Sequence, residues 1–354
     1  MRVRIMQERE RKTGKKKISK KKRQKRKIIF TIVLILLMLV LLAFAFVASK
    51  VGKMDIKKLS NIKFNANLDD DGLKGYKSIA LFGVDNRSNG NFDSGNSDTI
   101  IVVSINNDTG EIKMCSVYRD TYLDIDEGKF RKANAAYAAG GPEQAINMLN
   151  KNLDLNIDDY VAVDFNALVE VIDLLGGIEI DVTEEEAPLV NGYGEEVTKV
   201  TGKKTTPISA GLQVLDGVQA TSYARIRYTT GWDYKRTERQ RLVITKMFEK
   251  AKSASIGTLN KILDAALPDV STSLSSTEML GMATKLGKYT MGENTGFPFD
   301  KQSGSVGNLG DMVIPVDLAA NVTQLHQFLY NDEEYTVSAT VQQLSDTIHA
   351  NTGY

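Results

Sequence analysis

Residues 28–49 carry no charged side chain, and this apolar run is long enough to cross a ~30 Å hydrocarbon layer as one helix. Beyond it the pattern changes to short apolar segments separated by polar turns. Residues 78–84, 99–106 and 111–118 read as strands, and Asn107-Asp108-Thr109-Gly110 joins the last two as a hairpin. Pro142 opens a helical pattern that runs to residue 153. Residues 159–164 read as a strand, 166–175 as a helix stopped by Gly176-Gly177, and 178–182 alternate as another strand. Asp216 with Gln219 has the spacing of a capping box ahead of a short helix. Helical spacing returns at 259–266, 277–288 and 318–330, with a strand at 312–316. Residues 184–207 are polar without a sustained period and read as a loop. Interleaved strands and helices predict an α/β fold: a layered domain with a central mixed sheet flanked by helices, preceded by one transmembrane helix.

Charge gives that apolar run an orientation. Residues 1–27 hold 15 Lys and Arg against Glu8 and Glu10, a net of +13, while the remainder has 30 basic and 42 acidic residues, a net of −12. The positive-inside rule leaves residues 1–27 as a basic cytoplasmic tail, makes 28–49 a signal anchor and exports residues 50–354. Ala43 and Ala45 offer the small-residue pattern of a cleavable signal peptide, but the apolar run is longer than such peptides carry. A basic block can also suggest nucleic acid. Placed directly against a membrane span, it is explained by contact with an anionic leaflet, and no nucleic-acid partner is expected. Residues 50–75 read as a polar stalk, 76–332 as the domain and 333–354 as a C-terminal tail. Cys115 is the single cysteine and His326 and His349 the only histidines, so no internal disulfide forms and any bound metal must be a hard cation on carboxylates.

The most distinctive segment is residues 223–240, where Arg225, Arg227, Arg236 and Arg239 fall close together. In extended geometry Arg225 and Arg227 share a side. A helix is expected after Gly231-Trp232-Asp233, and on it Arg236 and Gln240 continue the face of Val243, Met247 and Ala251. Polar groups at the end of a buried stripe need partners, and planar guanidinium forks suit phosphate oxygens. A solvated, salt-bridged helix start is the plainer alternative. Two carboxylates, Asp85 and Asp98, flank the loop between the first two strands, where strand ends of an α/β sheet hold ligands, and are suited to bind Mg²⁺ on a pyrophosphate, the cation neutralising charge and polarising the phosphoryl group. Each alone also reads as an ordinary turn residue.

The ordered set Gly83-Val84-Asp85, Ser97-Asp98-Thr99, Arg119-Asp120, Lys132-x-Asn134-x-Ala136-Tyr137-x-x-Gly140-Gly141, Val163-Asp164-Phe165, Gly176-Gly177, Leu215-Asp216-Gly217-x-Gln219-Ala220, Arg225-x-Arg227 and Asp233-x-x-Arg236-x-x-Arg239-Gln240 resembles the LytR-CpsA-Psr family over roughly residues 76–332. The resemblance implies a membrane-anchored phosphotransferase that moves a glycopolymer, such as teichoic acid or capsule, from undecaprenyl pyrophosphate to peptidoglycan with Mg²⁺ or Mn²⁺. Carried over, Asp85 and Asp98 match metal-associated carboxylates, with Arg119 beside them as a catalytic candidate. Arg119, Arg225, Arg227, Arg236 and Gln240 match the pyrophosphate cluster, with Lys132 and Arg239 at further motif positions. Two residues depart from the pattern: Asn96 replaces a common Arg and Tyr118 a common Pro. Asn96 removes a cation, which Arg87 partly offsets.

The polyprenyl tail implied by the resemblance needs an apolar channel. Leu168, Val171, Ile172 and Leu175 with Val243, Met247 and Phe248 are candidates to line it, though each also reads as ordinary core. Two alternatives stay open, a polyprenyl-pyrophosphate sensor of envelope synthesis, favoured by Asn96, and a hydrolase that uses water at the same phosphorus.

Overall fold

A computed structural model describes residues 55–65, 73–84, 92, 95–229, 231–266 and 269–354. The expected cytoplasmic tail and membrane anchor lie outside the described residues, as do Asp85 and Arg87. The chain first contributes β1 (Asp55–Ile56), β2 (Tyr76–Val84), β3 (Ser97–Asn106), β4 (Glu111–Val117), β5 (Tyr122–Asp124) and β6 (Phe130–Lys132). Helix α1 (Ala135–Leu153) is kinked at Gly140 and Gly141, so Pro142 starts its second segment where a missing N–H costs nothing. Then follow β7 (Asp159–Val163), α2 (Phe165–Leu174), β8 (Ile178–Val182), α3 (Glu186–Thr201), β9 (Gly211–Leu215), α4 (Gly217–Arg225) and α5 (Trp232–Ser253). The last part holds α6 (Ile256–Ala266), β10 (Val270–Thr272), α7 (Ser276–Lys285), β11 (Thr290–Phe297), β12 (Lys301–Ser305), β13 (Asp311–Pro315), α8 (Leu318–Tyr330) and α9 (Ala339–Thr352).

Seven strands form one mixed sheet in the order β1-β10-β7-β2-β3-β4-β11. β2 runs parallel to β7 and antiparallel to β3, and β3 is antiparallel to β4, so β2, β4 and β7 end at the same edge. The β3–β4 hairpin forms as its turn chemistry demands. Asn106 Oδ1 accepts from the amides of Asp108 at 3.0 Å and Thr109 at 2.9 Å, and Gly110 takes a positive φ of 76°. β3 is a β-branched run buried on both faces. Its alternation still sorts side chains: Ile100 and Val102 join the core beneath α1, α8 and α9, whereas Ile101, Val103 and Ile105 join the core beneath α5 and α7.

One expectation is corrected here, and two segments expected beside the domain are found packed on it. Residues 184–207 are largely the helix α3, with Ala187, Val190, Gly194 and Val197 buried against neighbouring elements. Gly192, Gly194 and Pro188 hide this face in the sequence, and packing overrides their poor propensity. The stalk is not free over residues 55–65: β1 pairs with β10, Lys63 N–H donates to Asn147 at 2.8 Å, and Asn65 donates to Asp154. The C-terminal segment is also docked, because α9 buries Val341, Leu344 and Ile348 in the main core and its cap residue Ser338 donates to Asp154 at 2.7 Å.

Candidate functional site

At the shared strand edge the pairing of β2 with β3 slips: Gly83 faces Thr99 but Val84 faces Ser97, so Asp98 is the extra residue of a bulge. A bulge re-aims its side chain, and here it turns Asp98 into a cleft. Gly83 is required by the same contact, since a Cβ there would lie 2.9 Å from Thr99 Cβ. The spaced motifs around Gly83 and Asp98 are therefore one local structure.

Three arginines converge on Asp98. Arg119, just past β4, donates to Oδ1 at 2.7 Å, and Arg227 donates to Oδ2 at 3.1 Å. Arg236, in the first turns of α5, reaches the Asp98 carbonyl at 3.3 Å and pairs with Asp233 at 2.9 Å. Burial by itself would raise the Asp98 pKa, but the charges of Arg119, Arg236 and Arg227 outweigh it and hold the carboxyl below its ordinary value. Arg236 responds in the opposite sense. Its burial first, then crowding by Arg227 and Arg119 against the help of Asp233, push its pKa down to about 10.

This cationic rim closes one end of a cavity of about 760 Å³. Leu81, Ile101 and Val161 of the sheet, Leu168 and Val171 of α2, and Val243, Ile244 and Met247 of α5 line the rest. Asn96, Asp98, Arg119, Arg225, Arg227, Arg236 and Gln240 stand at the polar end. Several of their buried atoms have no hydrogen-bond partner: Arg119 Nε, Arg225 Nη1, Arg236 Nε and Gln240 Oε1. Buried donors are normally satisfied, so the three arginine nitrogens suit an anion with several oxygens, whereas Gln240 Oε1 is an acceptor and calls for a donor. The head-and-channel shape suits an amphiphile whose charged end meets the arginines and whose apolar part enters the cavity.

The expected site residues divide accordingly. Asp98, Arg119, Arg225, Arg227, Arg236 and Gln240 are brought together. Arg225 and Arg227 do so without the extended geometry expected of them: Arg225 ends α4 and Arg227 follows its C-cap, Ile226. Arg239 does not join them. It is buried and satisfied, donating to Glu186 at 2.7 Å, to Thr229 at 2.8 Å and to the Ile226 carbonyl at 3.2 Å, so it fastens α5 to α3. Lys132 is one shell away, 3.0 Å from Asp120, whose other oxygen lies 3.6 Å from Arg119. Of the channel candidates, Ile172 is packed in the core with the β8–β9 pair and Phe248 packs against the core under α5 and α7, and neither they nor Leu175 line the cavity. Asp233, Phe165, Tyr193 and Glu196 were missed. The step of three from Asp233 to Arg236 was a usable signal for the first, whereas Tyr193 and Glu196 sit on the unrecognised α3.

A hard cation is usually held by one or two carboxylates plus phosphate oxygens. Asp98 supplies one such carboxylate, and Asp85, the second expected ligand, lies outside the described residues. Among the described residues no group of three His, Cys, Asp or Glu is placed to hold a metal, so a cation at Asp98 must draw on oxygens of the ligand as well. Asp98 is an oxygen donor of the kind Mg²⁺ or Mn²⁺ takes, and both its oxygens accept from arginines.

An α/β domain with an arginine-lined pocket leading into an apolar cavity is the class that fold and site define. The LytR_cpsA_psr family model matches residues 41–296, and the chain belongs to that family. A polyisoprenyl-teichoic acid–peptidoglycan teichoic acid transferase, TagU, of Enterococcus faecalis is 34% identical over 209 residues, 58% of this chain and 64% of that protein. The Bacillus subtilis transferase TagV is 32% identical over 193 residues, 53% of this chain and 47% of that protein. The matches thus span less than two thirds of the length of these curated relatives. The solved structure of the Streptococcus agalactiae protein gbs0355 superposes with a TM-score of 0.64 at 27% identity, over 77% of this chain and 93% of that one.

Proposed function

We propose that this protein is a cell-envelope phosphotransferase that moves a glycopolymer from undecaprenyl pyrophosphate to peptidoglycan, anchored in the cell membrane with its domain outside. The observation that carries this reading is the set of buried arginine nitrogens without a hydrogen-bond partner at the mouth of an apolar cavity. The relatives named as teichoic acid transferases support it. In the reaction a peptidoglycan sugar hydroxyl attacks the phosphorus that bears the glycan, a new P–O bond forms, and the bridging P–O bond breaks to release undecaprenyl phosphate. Arg119, Arg227 and Arg236 stabilise the charge that gathers on the phosphoryl oxygens, the largest contribution a protein makes to such a transfer. Arg225 and Gln240 position the pyrophosphate. Mg²⁺ or Mn²⁺, held by Asp98 and Asp85 with the ligand's oxygens, would add charge neutralisation at the phosphoryl group. The hydroxyl proton passes to a site carboxylate, and the lowered pKa of Asp98 makes that residue a weak acceptor.

Incubating the full chain with a lipid-linked glycan and peptidoglycan oligomers, then weighing the products, tests the proposal. A joined glycan–peptidoglycan species is expected. Released glycan phosphate without joined product would establish the hydrolase instead. Lipid binding with no turnover would establish the sensor, a reading favoured by Asn96 at the cavity wall where the family pattern has a cation.

A further inference from the structure

We propose that Glu196 is the counter-ion that Arg225 exchanges for the incoming pyrophosphate, which makes Glu196 a positioning residue that sets how tightly the anion is held. The inference rests on the pyrophosphate reading of the site. Arg225 is held from the side by two rings, with its guanidinium carbon 4.6 Å from the centre of Phe165 and 5.5 Å from that of Tyr193. These contacts fix the plane of the fork without consuming its hydrogen-bond donors. One donor, Nη2, pairs with Glu196 at 3.1 Å, and the other, Nη1, is buried with no partner. Glu196 lines the same cavity as the arginines and stands one helical step from Tyr193, so α3 supplies both a ring wall and a carboxylate.

A second pair on the same helix shows why this one is replaceable. Glu186 and Arg239 are sealed, their side chains 9% and 5% exposed, and Arg239 has two further acceptors. The Glu196 side chain is 44% exposed, and its carboxylate is the acidic partner that Arg225 has within ion-pair distance. Arg225 itself is 17% exposed, so the pair is open to solvent on its acidic side, where a polyanion can displace the carboxylate. Once displaced, Glu196 stands beside the bound anion and repels it, which favours release after transfer, when the lipid keeps one phosphate instead of two.

Calorimetric binding of geranylgeranyl pyrophosphate to the full chain in detergent tests this, using Glu196→Gln, Arg225→Ala and the double variant. Glu195→Gln, an exposed neighbour on α3, removes the same charge and serves as control. Loss of the competing pair together with loss of like-charge repulsion should tighten binding by about five- to thirtyfold in Glu196→Gln. Glu195→Gln should stay within about twofold of wild type, and in the Arg225→Ala background the Glu196 substitution should change affinity by no more than about twofold. Melting temperatures should be equal throughout. Weaker binding by Glu196→Gln, an effect matched by Glu195→Gln, or tightening that persists without Arg225 would overturn the exchange. Absence of binding by wild type and Glu196→Gln alike would overturn the pyrophosphate reading itself, and this inference with it.

Discussion

The two faces of the central sheet are built from the same kinds of residue and do different work. Under α1, α8 and α9, Ile100, Val102 and Cys115 meet Ile146, Leu149, Val322, Leu325 and Leu329, all fully or nearly fully buried. Under α2 and α5, Leu81, Ile101 and Val161 face a cavity that Leu168, Val243 and Met247 border without filling. The first face has the close packing that stabilises a fold. The second gives up some of that dispersion energy and keeps a space that only a ligand can complete. Function in this molecule is located where packing is withheld, and the arginines stand at the open end of that gap.

Substitutions should separate the faces. The largest effect is expected for Leu149→Ala on the packed side, a loss of about 2 to 5 kcal/mol measured by urea melting, with prenyl-pyrophosphate affinity of the folded protein unchanged. At the site, Asp98→Asn keeps shape and one acceptor oxygen but deletes the charge that organises three arginines. It should slow transfer by at least about a hundredfold while leaving lipid affinity nearly constant and the melting curve close to wild type. If Asp98→Asn instead collapsed stability as Leu149→Ala does, the rim would be a structural feature like the packed face. Arg227→Ala removes one charge-assisted contact and should weaken prenyl-pyrophosphate binding about tenfold or more by calorimetry, without unfolding the domain. The smallest change is expected for Leu168→Ala. Its side chain already borders empty space, so the cost should be less than about 2 kcal/mol, clearly below that of Leu149→Ala in the same urea experiment.

Much of this was legible in the chain because the signals are local. The β3–β4 turn is encoded by Asn106 and Gly110, the start of α4 by the Asp216–Gln219 box, whose two bonds form at 2.8 Å and 2.9 Å, and the inner face of α5 by the spacing from Arg236 through Gln240 and Val243 to Met247. Each needs only a few consecutive residues to fix its geometry. Arg239 shows the limit. It stands between Arg236 and Gln240 in the same motif and has the same chemistry, yet it turns to Glu186 on a helix whose own sequence hides it behind two glycines and a proline.

The sequence by itself determined strands β2, β3, β4, β7, β8 and β13 and most helices, the opposite charges of the basic tail and the rest of the chain, and the residue types able to meet a phosphate. Tertiary structure decided which arginines meet it. A guanidinium's role depends on whether a carboxylate from a distant segment reaches it first: Glu186 seals Arg239, Asp98 gathers Arg119 and Arg227, and Glu196 holds Arg225 in a pair open to exchange. Those pairings join residues far apart in the chain, and their strength is set by burial, which only the packed fold creates.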